Sequence, residues 1–324
     1  EHDTMVMPAR EPGENFDDPK WADIAASTQL VLEEVLLKML GYLRESTGER
    51  NLCLAGGVAL NSKVNGEIRG ARIFDEIFVQ PASHDAGTSL GAALHLAYAD
   101  GKQPRNYQMK HSYYGPGYSD EECLAAAQQF PEVAVEHCAD PAETAAERLA
   151  AGQVLGWFQG RMEWGPRALG ARSIVADPRP ESMKDTINAK VKFRELFRPF
   201  APAILAEKTA EWFTLPGPSP FMLEVYPWRE EVKAKVPAVV HADGTGRLQT
   251  VDQDSNPRYY RLIQAFEKRT GIPIILNTSF NVKGEPIVCR PEEAIRCFLR
   301  TELDALVLGD LMVVRKNDPR PPRR

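Results

Sequence analysis

The chain has 324 residues, 43% hydrophobic and 26% charged, enough for one large globular core or two ordinary ones. Its formal net charge of −6 argues against a surface built mainly to wrap nucleic acid. Even the apolar run from Gln29 to Leu43 is broken by Glu33, Glu34 and Lys38, well short of the roughly 18 uncharged residues of a membrane span, so no membrane partner is expected.

Glu1 rather than methionine opens the chain and the first twenty residues carry no periodicity, so a piece of a longer protein is expected. Asp18 before Pro19 reads as a helix N-cap with proline at the first helical position. Ile24, Val31, Val35, Met39 and Leu43 then recur at helical spacing as far as Gly48. A strand over Asn51 to Ala55, a glycine turn, a strand over Ile73 to Val79 and a small-residue helix over Gly87 to Ala99 follow. Gly101 to Gly117 is rich in Gly, Pro, Asn, Gln and Tyr and reads as a linker, dividing the chain into units of residues 1–112 and 113–324.

In the second unit Ser119 and Glu122 form a capping-box pattern, Asp140-Pro141 opens another helix, and Val154 to Phe158 reads as a buried strand. Residues 256–270 read as a helix, Pro273 to Leu276 as a strand, and Pro291 as a helix start with Glu292 and Glu293 in the first turn. Two strands flank Gly309-Asp310, and Pro319 to Arg324 reads as a loose tail. Cys53, Cys123, Cys138, Cys289 and Cys297 are odd in number and form no CxxC pair, which suits reduced thiols and a cytoplasmic location.

Between Gly160 and Arg198 nine basic and five acidic residues give a local charge of +4 inside a chain of −6. Arginines held on turns by Gly165-Pro166, Gly170 and Pro199 suit phosphate oxygens, and a solvated basic face accounts for the same composition. Asn277 to Asn281 places short polar side chains at a strand's end, where α/β sheets hold ligands and where ordinary turns also occur. Gly56-Gly57 lets backbone amides approach a nucleotide without forming a P-loop, since no Lys-Ser/Thr ending follows. Asp85 either caps the next helix or binds a metal, and the cap is the simpler reading. Phe221, Tyr226 and Trp228 read as packing residues rather than a pocket lining.

The phrases LCLAGGVALNS, DAGTSLGAAL, WGPRALGARSI, VKFRELFRPFAPAI, HADGTGRLQTV and NTSFNVKGEPIV, in this order, resemble the O-carbamoyltransferase family of antibiotic and nodulation-factor biosynthesis. That resemblance implies an α/β chain in which the second lobe of an actin-like, Kae1-like domain precedes a YrdC-like domain with a twisted mixed sheet. It implies that ATP and carbamoyl phosphate are joined into carbamoyladenylate with loss of pyrophosphate, aided by Mg²⁺, and that the carbamoyl group passes to a small-molecule hydroxyl. The family's KxR and SxN motifs match Lys192-Phe193-Arg194 and Ser279-Phe280-Asn281. Lys192, Arg194 and Arg198 would stabilise the reacting phosphates, with Arg167, Arg172, Arg247 and His241 as further contacts and Ser279 and Asn281 orienting the nucleotide. Gly56, Gly57 and Asn61 match an adenosine-binding turn, and Asp85 matches a ligand of an iron-type divalent metal.

The first actin-like lobe of the family, with its HxxxH pair, has no counterpart here, so the transfer site is expected to be half built and a separate lobe is an expected partner. The other readings are the same adenylate chemistry with a tRNA or hydrogenase-maturation acceptor, and a non-catalytic partner fragment. If a lobe is missing, residues 20–110 should expose an apolar face. A homodimer is the default oligomer.

Overall fold

A computed structural model describes residues 19–215 and 217–317, so Asp18 and the tail from Pro319 lie outside the described residues. The first unit runs α1 (Pro19–Thr47), β1 (Asn51–Leu54), α2 (Ser62–Ala71), β2 (Glu76–Val79) and α3 (Thr88–His95). After a π-helical turn over Leu96–Asp100 and a stretch without helix or strand come α4 (Asp120–Gln128), β3 (Val133–His137), α5 (Pro141–Ala150), β4 (Leu155–Phe158), β5 (Arg172–Ala176) and α6 (Ser182–Ile187). The remainder is β6 (Ala201–Leu205), α7 (Thr209–Trp212), β7 (Glu224–Pro227), α8 (Glu230–Lys233), β8 (Thr245–Val251), α9 (Pro257–Thr270), β9 (Ile274–Ser279), α10 (Pro291–Arg300), β10 (Ala305–Leu308) and β11 (Leu311–Arg315).

Local chemistry explains the helix starts. Ser119 accepts from the Glu122 backbone N–H and the Glu122 carboxylate accepts from Ser119 N–H, the expected box at α4. Asp140 and Asn256 cap α5 and α9, each followed by proline at the first position. Gly271, left-handed at φ 74°, ends α9.

The strands form a parallel pair, β1-β2, and a nine-stranded mixed sheet in the order β3-β11-β10-β4-β5-β9-β6-β8-β7. Every residue of β4, β5, β6 and β10 is buried, which is why β4, β6 and β10 are apolar throughout rather than alternating, while β5 opens on the buried Arg172 and Ser173. Helices α5 and α9 pack on each other, with α9 against β6 and β9, while α10 packs on β4, β10 and α4. Phe221, Tyr226 and Trp228 are buried packing residues, as expected.

The stripe Val31, Val35, Met39 and Leu43 of α1 is not the buried one. Leu32, Leu36, Leu37 and Leu40 pack against Leu52, Val64, Ile68 and Phe74, whereas Val31 (59%), Met39 (59%) and Tyr42 (73%) stand in solvent. The helix is apolar on both faces, and the second face is the exposed surface anticipated for residues 20–110.

Helix α2 lies directly against strand β7. Val225 O of β7 lies where a Cβ on Gly66 of α2 would sit, Asn65 Nδ2 donates to Leu223 O at 2.8 Å, and Arg69 pairs with Glu224.

Candidate active site

The turn after β4, the segment after α6, the approach to β8 and the end of β9 meet around one cleft of about 370 Å³. Its lining includes Arg167, Arg194, Arg198, Arg247, His241 and Ser279, with Ser62 from the start of α2, and no carboxylate.

Arg167 projects from a loop whose tightness requires glycine. Gly170 sits at φ 100°, and a Cβ there would fall 2.2 Å from the Tyr259 ring. Arg194 follows a π-turn over Asn188–Lys192 that ends with Phe193 left-handed at φ 49°. The buried Asn188 accepts from Arg194 Nε at 2.7 Å and donates to the carbonyls of Leu196 and Arg198, fixing the bend that carries both arginines.

Arg167, Arg194 and Arg247 crowd like charge together here, while Arg198 pairs with Glu195 Oε2 at 3.6 Å. Burial, then Arg167 and Arg194, push Arg247 down to about 9, and its Nε has no hydrogen-bond partner. Burial, then Arg198, opposed by Glu195, push Arg194 down to about 10. Arg167 is lowered by burial alone and its Nε is likewise unpartnered. At neutral pH all remain cationic, so the cleft has unspent donors and positive charge that a polyanion would satisfy.

Burial, reinforced by Arg247, Lys184 and Lys63 and opposed by Asp243, pushes the His241 imidazole down from 6.5 to about 4. Its Nδ1 lies 3.2 Å from Thr245 Oγ1. Between those values the unfolded chain binds a proton that the folded chain refuses, so this contribution to stability is present above pH 6.5 and lost as the pH falls toward 4. His241→Gln should flatten the loss of denaturation midpoint between pH 6.5 and 5, above the range where most carboxylates titrate; an unchanged slope would place the titration elsewhere.

Two of the expected phosphate contacts are spent elsewhere. Arg172 is fully buried at the start of β5, donating to the carbonyls of Gln159, Gly160, Ala171 and Pro116 with its guanidinium 3.6 Å from the Phe158 ring centre. It is a structural brace. Lys192, 4% exposed, donates to Ser279 O (2.7 Å), Ser279 Oγ (3.2 Å), Asn281 O (3.0 Å) and Asn281 Oδ1 (2.7 Å). Burial and Arg194 lower it to about 7, and its role in this structure is to hold the SxN segment in place. Ser279 therefore reaches the cleft, while Asn281 is tied to Lys192, Ser279 and the Glu285 carbonyl.

In the first unit, Gly56 (φ 97°) donates to Ser83 O, and nothing lies within 4 Å of a Cβ on Gly57, so this turn is open to a ligand. Asn61 caps α2 through Val64 N–H and donates to Gln29 Oε1 at 2.8 Å. His84, not Asp85, accepts at the following turn, from Ala86 N–H. Asp85 is exposed, and no group of three His, Cys, Asp or Glu side chains suited to a metal occurs among the described residues. These residues alone do not fit an iron-type site. Sequence reading named Asn277 only as part of a polar strand end, counted Glu163 only as a charge and gave Gln249 no role of its own, because their place behind the arginine loop is set by the packing of distant segments.

Two family models match, one described as carbamoyltransferase N-terminus over residues 4–94 and one as carbamoyltransferase C-terminus over residues 146–315. The nodulation protein NolNO of Sinorhizobium fredii is 47% identical over 91% of this chain and 44% of that protein. The nodulation protein NolO of Bradyrhizobium diazoefficiens is 46% identical over 91% of this chain and 55% of its own length. An uncharacterized Synechocystis protein is 43% identical over 98% and 56%. The chain thus spans about half the length of the curated relatives it matches. Two HypF crystal structures, one from T. kodakarensis, align with TM-scores of 0.36 and 0.35 at 17% and 13% identity, covering 53% and 76% of this chain and 22% and 36% of theirs, too slight a similarity to bear on fold or function. With more than half of its residues matched by the C-terminal model, this chain belongs to the carbamoyltransferase family.

Proposed function

We propose that the arginine cleft makes carbamoyladenylate from ATP and carbamoyl phosphate, and that the carbamoyl group then passes to a hydroxyl of a natural-product acceptor. The observation that carries this reading is the convergence of Arg167, Arg194, Arg198 and Arg247 on one cleft without a carboxylate in its lining. Carbamoyl phosphate gives up inorganic phosphate to water, leaving carbamate. A carbamate oxygen attacks the α-phosphorus, the bond to the bridging oxygen breaks, and pyrophosphate leaves. An acceptor hydroxyl then attacks the carbamoyl carbon, AMP departs and the hydroxyl proton is released.

In the adenylating step negative charge builds on the phosphorus oxygens and on pyrophosphate, where fixed guanidiniums need no reorganisation to act. Ser279 Oγ, which accepts from Lys192 and donates to Asn281 Oδ1, lies beside them. Mg²⁺ would arrive with the nucleotide, since no acid lines the cleft to hold it. The two units take the roles of a Kae1-like transfer lobe and a YrdC-like adenylating domain in this reading. The exposed stripe on α1 supports a further lobe covering the first unit.

Pyrophosphate release from ATP by the 324-residue chain, with and without carbamoyl phosphate and Mg²⁺, tests the first step. Release that requires carbamoyl phosphate and disappears in Arg194→Ala is expected; full activity in that variant would overturn the assignment.

A further inference from the structure

The loop presenting Arg167 is fastened from beneath by side chains that do not line the cleft. One oxygen of the buried Glu163 accepts from the N–H groups of Leu169 (2.7 Å), Ala171 (2.7 Å) and Arg172 (3.3 Å). The loop's carbonyls point to the sheet. Ala168 O accepts from Asn277 Nδ2 at 3.1 Å, and Leu169 O accepts from Gln249 Nε2 and from Tyr113 Oη, each at 2.8 Å. Asn277 Nδ2 also donates to Gln249 Oε1 at 2.7 Å, so the two amides form a pair.

That pair spans three strands. Gln249 is on β8 and Asn277 on β9, with β6 between them, and the β6 residues paired with these positions are Ala203 and Ala201. With only methyl groups on the intervening strand, the two longer side chains meet across it. Side chains two apart on a strand share a face, so Gln249 lies on the face of Arg247, and Asn277 on that of Ser279. Each amide therefore belongs to a strand that supplies a cleft residue, and each bonds the loop that supplies Arg167.

Gln249 and Asn277 are 2% and 0% exposed, and Asn277 Oδ1 has no protein donor. Their amide hydrogens go to the loop carbonyls of Ala168 and Leu169 and to each other, so the pair ties the loop to the sheet.

We propose that Gln249 and Asn277 are positioning residues, which fix Arg167 relative to Arg247 and Ser279 so that the arginines converge on one phosphate-bearing ligand. This rests on the reading of the cleft as an anion site.

A double-mutant cycle on the full chain tests it, read as affinity for inorganic pyrophosphate by titration calorimetry. Gln249→Leu is expected to weaken binding about tenfold, the size of one misaligned charge-assisted contact. In an Arg167→Ala background the same change should matter less than about twofold, because the contact it acts through is gone. Tyr113→Phe, which deletes a single hydroxyl from the same network, should show a smaller loss that also vanishes without Arg167, and it serves if Gln249→Leu does not fold. Equal losses in both backgrounds would overturn the positioning role and leave the anion site standing. A wild-type chain that does not bind pyrophosphate would overturn both.

Discussion

Arg247→Met should raise the melting temperature by about 2–4 °C and lower carbamoyl-phosphate-dependent pyrophosphate release by about 10²–10³-fold. The two effects have one cause. The half-buried Arg247 guanidinium is pushed down to about 9 by loss of solvent and by Arg167 and Arg194, and its Nε finds no partner. Its charge costs the empty fold stability, because the usual compensation of a neighbouring acid is absent. That same unspent charge is what a polyanion would meet. Removing it relaxes the resting protein and removes the ligand's partner, a trade between stability and activity expected where charge is prepared in advance. Thermal unfolding with and without pyrophosphate checks this, since the ligand should raise the midpoint of the wild-type chain well above that of the variant. A variant that melts lower and still releases pyrophosphate would sink the argument.

Gly66→Ala reverses an ordinary rule. In a helix interior the change normally stabilises by about 0.5–1 kcal/mol, since glycine loses more backbone freedom on folding. Here the new methyl would lie 2.2 Å from Val225 O, a backbone atom with little room to retreat. Helix α2 would be driven off β7, taking with it the hydrogen bond from Asn65 to Leu223 O and the ion pair between Arg69 and Glu224. A loss of about 3 kcal/mol or more in denaturant unfolding is expected. A variant as stable as the parent would mean that α2 and β7 do not meet as described.

The sequence reading succeeded where a local rule acts alone. The capping box at Ser119, the Asp140 cap and the strands on either side of Gly309-Asp310 need only their neighbours. On α1 the helical period was correct but picked the exposed stripe, because a helix with two apolar faces offers two answers at the same spacing. The start of β5 was hidden by Arg172, whose charge made a buried strand resemble a surface. Charge excess located Arg167, Arg194 and Arg198, with Arg247 entering only through the family resemblance, but could not distinguish a side chain facing a ligand from one bracing a backbone. Arg167 and Arg172 stand five positions apart, and only the fold sends one into the cleft and the other under Phe158. The bond between Gln249 and Asn277 was beyond reach for a different reason, since it depends on which strand lies between two others.

The place of β9 also bears on how the cleft is assembled as the chain is made. It pairs with β5 on one side and β6 on the other, yet it is synthesised some seventy residues after β6. Until it emerges, two strand edges stand unpaired in the middle of the sheet, and neighbouring chains can add to them. Ser279, the oxygens that hold Lys192 and the amide of Asn277 arrive on that same late segment. A nascent chain that stops short of residue 274 therefore has its arginines but lacks the strand that sets their spacing, so closing the sheet and completing the cleft are one folding event.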